Sequence, residues 1–173
     1  MRLDEFGKLF DTFKRAAFRL ETLSFYSVDE DDEAEAFRLF CSGQPQAPKD
    51  REWPKLVAAA CAAGKTMQRV RIVRPPVTDY LRFELSWGYP DNIAAGEVIR
   101  ILPVVGELPA GIMDRDYWLF DDAIAVAMDY DEHGRFIGPR LVPDPAPYCR
   151  CRDRAMAAAV PFAEYRVAVD LRT

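Results

Sequence analysis

The stretch that most constrains the fold is the run from Thr66 to Val105, "TMQRVRIVRPPVTDYLRFELSWGYPDNIAAGEVIRILPVV". Its first part reads as a strand, with Val70 and Ile72 on one face and Arg69 and Arg71 on the other. Pro75 and Pro76 end it. Val77 to Gly88 then has helical spacing, and "EVIRILPVV" returns as a second strand. Strand, helix, strand is the pattern that joins two parallel neighbours in one sheet.

The flanking segments extend that unit. Asp4 reads as the cap of an opening helix whose Phe6, Leu9, Phe10, Phe13 and Ala17 fall at helical spacing. "FRLETLSFYSV" turns β-like. Asp29 to Cys41 reads as a second helix with acids in its first turn, and Trp53 to Ala63 as a third, with Pro54 near its start and Gly64 at its stop. "SGQPQAPKD" between them is a loop. "YWLFDDAIAVAMDYDEHGRFIG" reads as a meander, with Asp121-Asp122 as one tight turn and "DEHG" ending the second run. "DPAPYCRCRDRAMAAAVPFAEY" closes the chain as a helix bent or broken near Pro161. The sum is one α/β domain over residues 1–173, a mixed β-sheet with flanking helices.

On a helical wheel from Val77, Leu81 and Leu85 share one side with Gly88, flanked by Tyr80 and Trp87. Thr78, Asp79, Arg82 and Ser86 take the other. Glu84 breaks the division, because it falls on the apolar side. A carboxylate facing a core needs partners. Two readings stay open. One is a structural ion pair with Arg69, Arg71 or Arg100. The other is a polar pocket in which Glu84 and an arginine receive a ligand. The candidate binding residues are Tyr80, Glu84, Trp87, Asn92, Arg100, Asp116 and Trp118, the last because "YWLF" and Trp87 raise an aromatic face.

The residue inventory narrows the chemistry. His133 is the single histidine of the 173 residues, and it lies in a turn. That removes most Ser-His-Asp and Cys-His machinery and any site needing two histidines. Cys149-x-Cys151 lacks zinc-site spacing; Asp114, Asp116, Asp121 and Asp122 could hold a cation only by converging, and Asp121 and Asp122 already suit a turn. Phosphate-loop and dinucleotide patterns are absent, so no cofactor or metal is expected. The net charge of −5 argues against a general nucleic-acid binder, and direct binding through "RVRIVR" is the weakest reading. "DEDDEAE" (Asp29 to Glu35) supplies six of the 28 acids and reads as a solvated helix start. No apolar run approaches the ~20 residues of a membrane span, and the N-terminus lacks a signal-peptide core. With its four dispersed cysteines, the chain reads as a cytoplasmic protein with reduced thiols.

Taken together, "FGKLFDTFKRAAFRLETLSFY", "RVRIVRPPVTDYLRFEL", "NIAAGEVIRIL" and "DYWLFDD" resemble a family of small actinobacterial proteins known as a domain of unknown function. The resemblance runs from Phe6 to about Tyr165. Because such proteins are often encoded beside helix-turn-helix regulators, it implies a regulatory protein with a helix-turn-helix DNA-binding partner and no catalytic residue to carry over. A fainter likeness is to one half of the phospholipase D-like fold, in topology alone. The His, Lys and Asp motif of that superfamily is missing, since His133 is followed by Gly, Arg and Phe. The resulting expectation is a non-enzymatic regulatory or interaction protein that also senses a small anionic ligand. The alternative is a small enzyme or ligand-binding domain with a pocket around Glu84, Tyr80 and Arg100.

Overall fold

The computed structural model describes residues 1–27, 32–47 and 50–165. Strands from nearly the whole length of the chain enter one mixed sheet: β1 (Ala16–Glu21), β2 (Thr66–Val73), β3 (Val98–Pro103), β4 (Tyr117–Phe120), β5 (Ile124–Tyr130), β6 (Phe136–Val142) and β7 (Val160–Pro161). Their order is β6-β5-β4-β1-β2-β3-β7. β1, β2 and β3 run parallel in register, whereas β4, β5, β6 and β7 join antiparallel. The mixed α/β sheet and the parallel β2–β3 pair are as the sequence pattern predicts.

Two helices lead up to β2 after β1: α2 (Asp32–Cys41) and α3 (Glu52–Ala62). Asp29, Glu30 and Asp31, which the sequence assigns to the start of α2, lie outside the described residues. α1 (Leu3–Thr12) begins two residues earlier than a cap at Asp4 would allow. Arg2 is its cap, and the Arg2 amide donates to Glu5 at 2.9 Å. Ala17 belongs to β1, not to this helix, because Phe13 turns extended and sends the chain into the sheet.

Alternation along the strands assigns the two faces. Phe18, Leu20, Val70, Ile72, Leu102, Tyr117, Leu119 and Ala125 point to one side and pack with Cys151, Ala155 and Ala159 of the α6 region (α6, Ala146–Ala158). Ala17, Met67, Trp118, Phe120, Val126 and Met128 point to the other, under α1 and α3. On that second face Val73, Ile99 and Ile101 meet Leu81 and Tyr89. α6 ends before Pro161, which sits in the two-residue strand β7. Among the described residues no helix is long and apolar enough to cross a membrane.

The β2–β3 connection departs most from expectation. The helix does not stop at Gly88. It runs as α4 (Asp79–Phe83), a π-turn (Glu84–Gly88) and α5 (Tyr89–Ala94). Thr78 caps α4 by accepting from the Leu81 amide, and its hydroxyl donates to Ser24 O at 2.6 Å. The Tyr89 N–H reaches back to Glu84 O, five residues away. Pro90 fits in the first turn of α5, where a missing N–H costs little.

Candidate functional site

The centre of the second face is charged. Arg19 and Glu21 of β1 and Arg69 and Arg71 of β2 alternate with the apolar residues already described, so they share one side of the sheet. Arg19 is paired in register with Arg69, and Glu21 with Arg71. All four are buried, with Arg71 fully so. Two guanidinium groups therefore lie side by side on adjacent strands, where like charges repel unless acids intervene.

Three buried acids do intervene: Glu21, Glu97 and Asp116. Glu21 accepts from Arg69 Nη1 at 2.6 Å and from the Tyr89 hydroxyl at 2.9 Å, and lies 3.4 Å from Arg71 Nη1. Glu97, just before β3, accepts from Arg69 Nε at 2.8 Å and from the Trp53 indole N–H at 3.1 Å. Asp116, just before β4, accepts from Arg19 Nη2, the Thr22 amide and the Thr22 hydroxyl, each at 2.8 Å, and from the Tyr26 hydroxyl. Arg71 Nη2 donates to Leu23 O at 2.6 Å, and the Tyr26 ring packs against its guanidinium.

These contacts decide the protonation states. Burial works against the Glu21 charge, but Arg69, then Arg71 and Arg19, outweigh it and hold the carboxyl far below its usual range. Burial likewise opposes the charge on Arg19, and Asp116 leads the groups that keep it protonated. The network is left incomplete in a specific way. Arg19 Nη1 and Arg71 Nε are buried without a hydrogen-bond partner. Arg69 commits Nε and Nη1 to acids, and no acceptor among the described residues takes its Nη2.

Above Arg19 and Arg69 opens a cavity of about 870 Å³. This is within the ~300–1,000 Å³ of ordinary small-molecule sites. The sheet contributes Arg19, Glu21 and Arg69; α3 contributes Trp53; the α4–π–α5 segment contributes Tyr80, Glu84, Gly88 and Asn92. The β5–β6 hairpin closes one side with Tyr130, Gly134 and Phe136. Its tip is docked where the Ser27 amide donates to Gly134 O at 3.0 Å. Gly134 has φ +73°, and a Cβ there would stand 2.8 Å from Phe25 O. Only glycine makes that approach without strain.

Glu84 is placed by the π-turn. Its carboxyl lies over Gly88, where a Cβ would meet Oε1 at 2.9 Å. No hydrogen bond reaches this carboxyl among the described residues. Burial pushes it up to about 8, with Glu33 and Glu21 adding to the effect and Arg69 and Arg71 opposing it, so it is mostly protonated at neutral pH. π-turns are rare and recur at functional sites, where the extra residue re-aims a side chain.

The structure therefore sorts the seven sequence candidates. Tyr80, Glu84 and Asn92 line one cavity, and Asp116 anchors the Arg19 side of it. The ion pair expected of Glu84 does not form, because Glu21, Glu97 and Asp116 already take the arginines. Arg100 belongs to the opposite face. It is in register with Val70, and its Nη2 donates to Ala159 O at 2.6 Å. Trp87 packs on Phe40 and Phe83, away from the cavity. Trp118 stacks on Phe120 and supports Arg19 from the side, 5.7 Å from ring to guanidinium. His133 sits in the exposed hairpin turn, its amide bonded to Asp131.

Sequence reasoning missed Arg19, Glu21, Tyr26, Trp53, Glu97 and Tyr130. One signal was available. A parallel central pair is normally covered on both faces, so the arginines and acids alternating in "FRLE" and "RVRIV" could not all reach water. Among the described residues no group of three His, Cys, Asp or Glu is arranged to hold a metal ion, and all four cysteines are free thiols.

The chain belongs to a family defined as a domain of unknown function, DUF6879, whose model matches residues 4–167. No curated protein and no solved structure matched it.

Proposed function

We propose that this chain is a non-enzymatic regulatory domain that binds a small anionic ligand at the Arg19–Arg69 pair and acts with a helix-turn-helix DNA-binding partner. One observation carries the ligand half: register-paired Arg19 and Arg69 line the same cavity, Arg19 with its Nη1 buried and unpartnered and Arg69 with its Nη2 outside the bonds it makes to Glu97 and Glu21. Arginine presents a planar fork suited to carboxylate or phosphate, and a desolvated, unpartnered guanidinium nitrogen is a standing cost that an anion removes. The partner half rests on the resemblance to actinobacterial proteins encoded beside helix-turn-helix regulators. The likeness to the phospholipase D-like fold adds no chemistry, since His133 is exposed and does not line the cavity.

The ligand test is ¹H–¹⁵N NMR of the full chain titrated with small carboxylates and inorganic phosphate. Saturable shifts of the Trp53 indole, with the Trp87 indole unmoved, are the expected result. An unresponsive Trp53 across the series would overturn the ligand assignment. The partner test is light scattering after size exclusion, for this protein alone and mixed with the DNA-binding protein encoded next to it. A joint peak supports the regulatory assignment; two separate peaks remove it.

A second reading is a small enzyme using Glu84 as a proton donor. It is favoured by a carboxyl in the cavity whose proton is held to about pH 8. Arg100 has no place in either reading.

A further inference from the structure

The sheet floor of the cavity supplies cationic groups; the helical wall supplies an acid without a partner. Buried Arg19, Arg69 and Arg71 are matched one for one by Glu21, Glu97 and Asp116. Glu84 is therefore surplus to the network, and it is the acid that the π-turn and the bare Cα of Gly88 hold at the cavity. Glu33 of α2 lines the same space.

Resting on the anion reading above, we infer that the ligand is a zwitterion, a small amino acid whose carboxylate meets the Arg19–Arg69 pair and whose ammonium meets Glu84. A simple anion would answer the arginines and leave the Glu84 carboxyl without a partner. A simple cation would leave the arginine nitrogens unmatched. An amino carboxylate places one charge against each wall, and its own two charges cancel. Trp53, Tyr130 and Phe136 offer ring surface to the remainder of the molecule, and about 870 Å³ holds an amino acid with its side chain.

The protonation of Glu84 gives the idea an independent readout. The charged and titratable groups around it are Glu33 of α2, Glu21 of β1, Arg69 and Arg71 of β2, Tyr80 of α4 and Tyr89 of α5. Burial and the two acids hold the proton on, and an arriving ammonium draws it off. Binding near neutral pH should then release a proton. The heat of binding will vary with the ionisation enthalpy of the buffer in the wild type and not in Glu84→Gln.

The experiment is calorimetry on the full chain with the proteinogenic amino acids, each beside its des-amino carboxylic acid and its decarboxylated amine. The expected result is an amino acid that binds at least ~10-fold more tightly than both of its halves. Glu84→Gln, checked for an unchanged fold by its NMR spectrum, should erase that preference while weakening the des-amino acid by less than ~2-fold. A des-amino acid that binds as well as its parent would overturn the zwitterion and leave the anion reading standing. Failure of both series, with a silent Trp53 indole, would overturn both.

Discussion

The two faces of the central strands differ although they share the same backbone. Toward α6, Phe18, Leu20, Val70 and Ile72 form a closed apolar layer. Toward α3 and the π-turn, their immediate neighbours Arg19, Glu21, Arg69 and Arg71 form a buried ionic layer under a cavity. The first face needs only shape and volume. The second needs every charge matched, and it is the face that leaves donors and an acid unmatched. On the proposed reading, that difference separates a surface built for stability from one built for recognition, and it can be broken in stages.

Glu21→Ala should have the largest effect. It removes the acid bonded to Arg69 and close to Arg19 and Arg71, at a cost on the order of 3–5 kcal/mol for stranding buried charge. Leu20→Ala next door should cost about 2–5 kcal/mol through cavity formation on the apolar face. The two will part in their acid dependence under urea denaturation. Glu21 has a folded-state value below its unfolded one. Its contribution is thus complete above the unfolded carboxylate range of about 4.3 and is lost as pH falls toward the folded value. Leu20→Ala should keep the wild-type acid profile and Glu21→Ala should flatten it. Parallel profiles would mean the ionic face is no more acid-sensitive than the apolar one.

Glu84→Gln comes after both, with the opposite sign. Its folded-state value is raised to about 8, so holding it folded is free of penalty below about pH 4.3 and increasingly unfavourable up to pH 8. The amide should stabilise the protein by on the order of 1–3 kcal/mol at pH 8 and by much less at pH 5. Denaturant midpoints at the two pH values check it. Equal midpoint shifts would show that Glu84 is not held protonated.

Arg100→Met should be smaller, about 1 kcal/mol for its bonds to the Ala159 carbonyl. It lies on the other side of the sheet and should leave the Trp53 indole response to ligand intact. Gly88→Ala sharpens the contrast at comparable cost, about 1 kcal/mol or less, because its Cβ would displace the flexible carboxyl of Glu84 and not backbone. The same indole titration should register weaker binding in that variant.

Much of the fold was legible from the chain. Val70 and Ile72 alternating with Arg69 and Arg71 marked a strand, and Gly64, Pro75 and Pro76 marked its limits. The turn at Asp121-Asp122 was legible too; both residues take positive φ, 53° and 61°. The displacement of Glu84 onto an apolar helix face pointed to the cavity. What could not be read was which acid met which arginine. Those pairs join residues far apart in sequence, such as Arg19 with Asp116 and Arg69 with Glu21 and Glu97. Nothing local fixes that choice. Arg100 was misplaced for a different reason: strand parity, not proximity in sequence, decides a side, and it matches Val70 rather than Arg69. The π-turn was also hidden, since a five-residue turn has the same composition as a four-residue one.

That turn amounts to one extra residue spliced into an otherwise ordinary helix. Excising one residue from Glu84–Gly88, Leu85 for instance, would restore the regular ladder while sparing both ends of the connection. Because a π-turn takes up its extra residue locally, α4 and α5 would keep their places and only the turn's own side chains, Glu84 among them, would be re-aimed. The cavity would lose its acid through geometry alone, with no change to Arg19 or Arg69. A single codon's deletion or insertion is thus a discrete step between a chain that presents an acid to the arginine floor and one that does not.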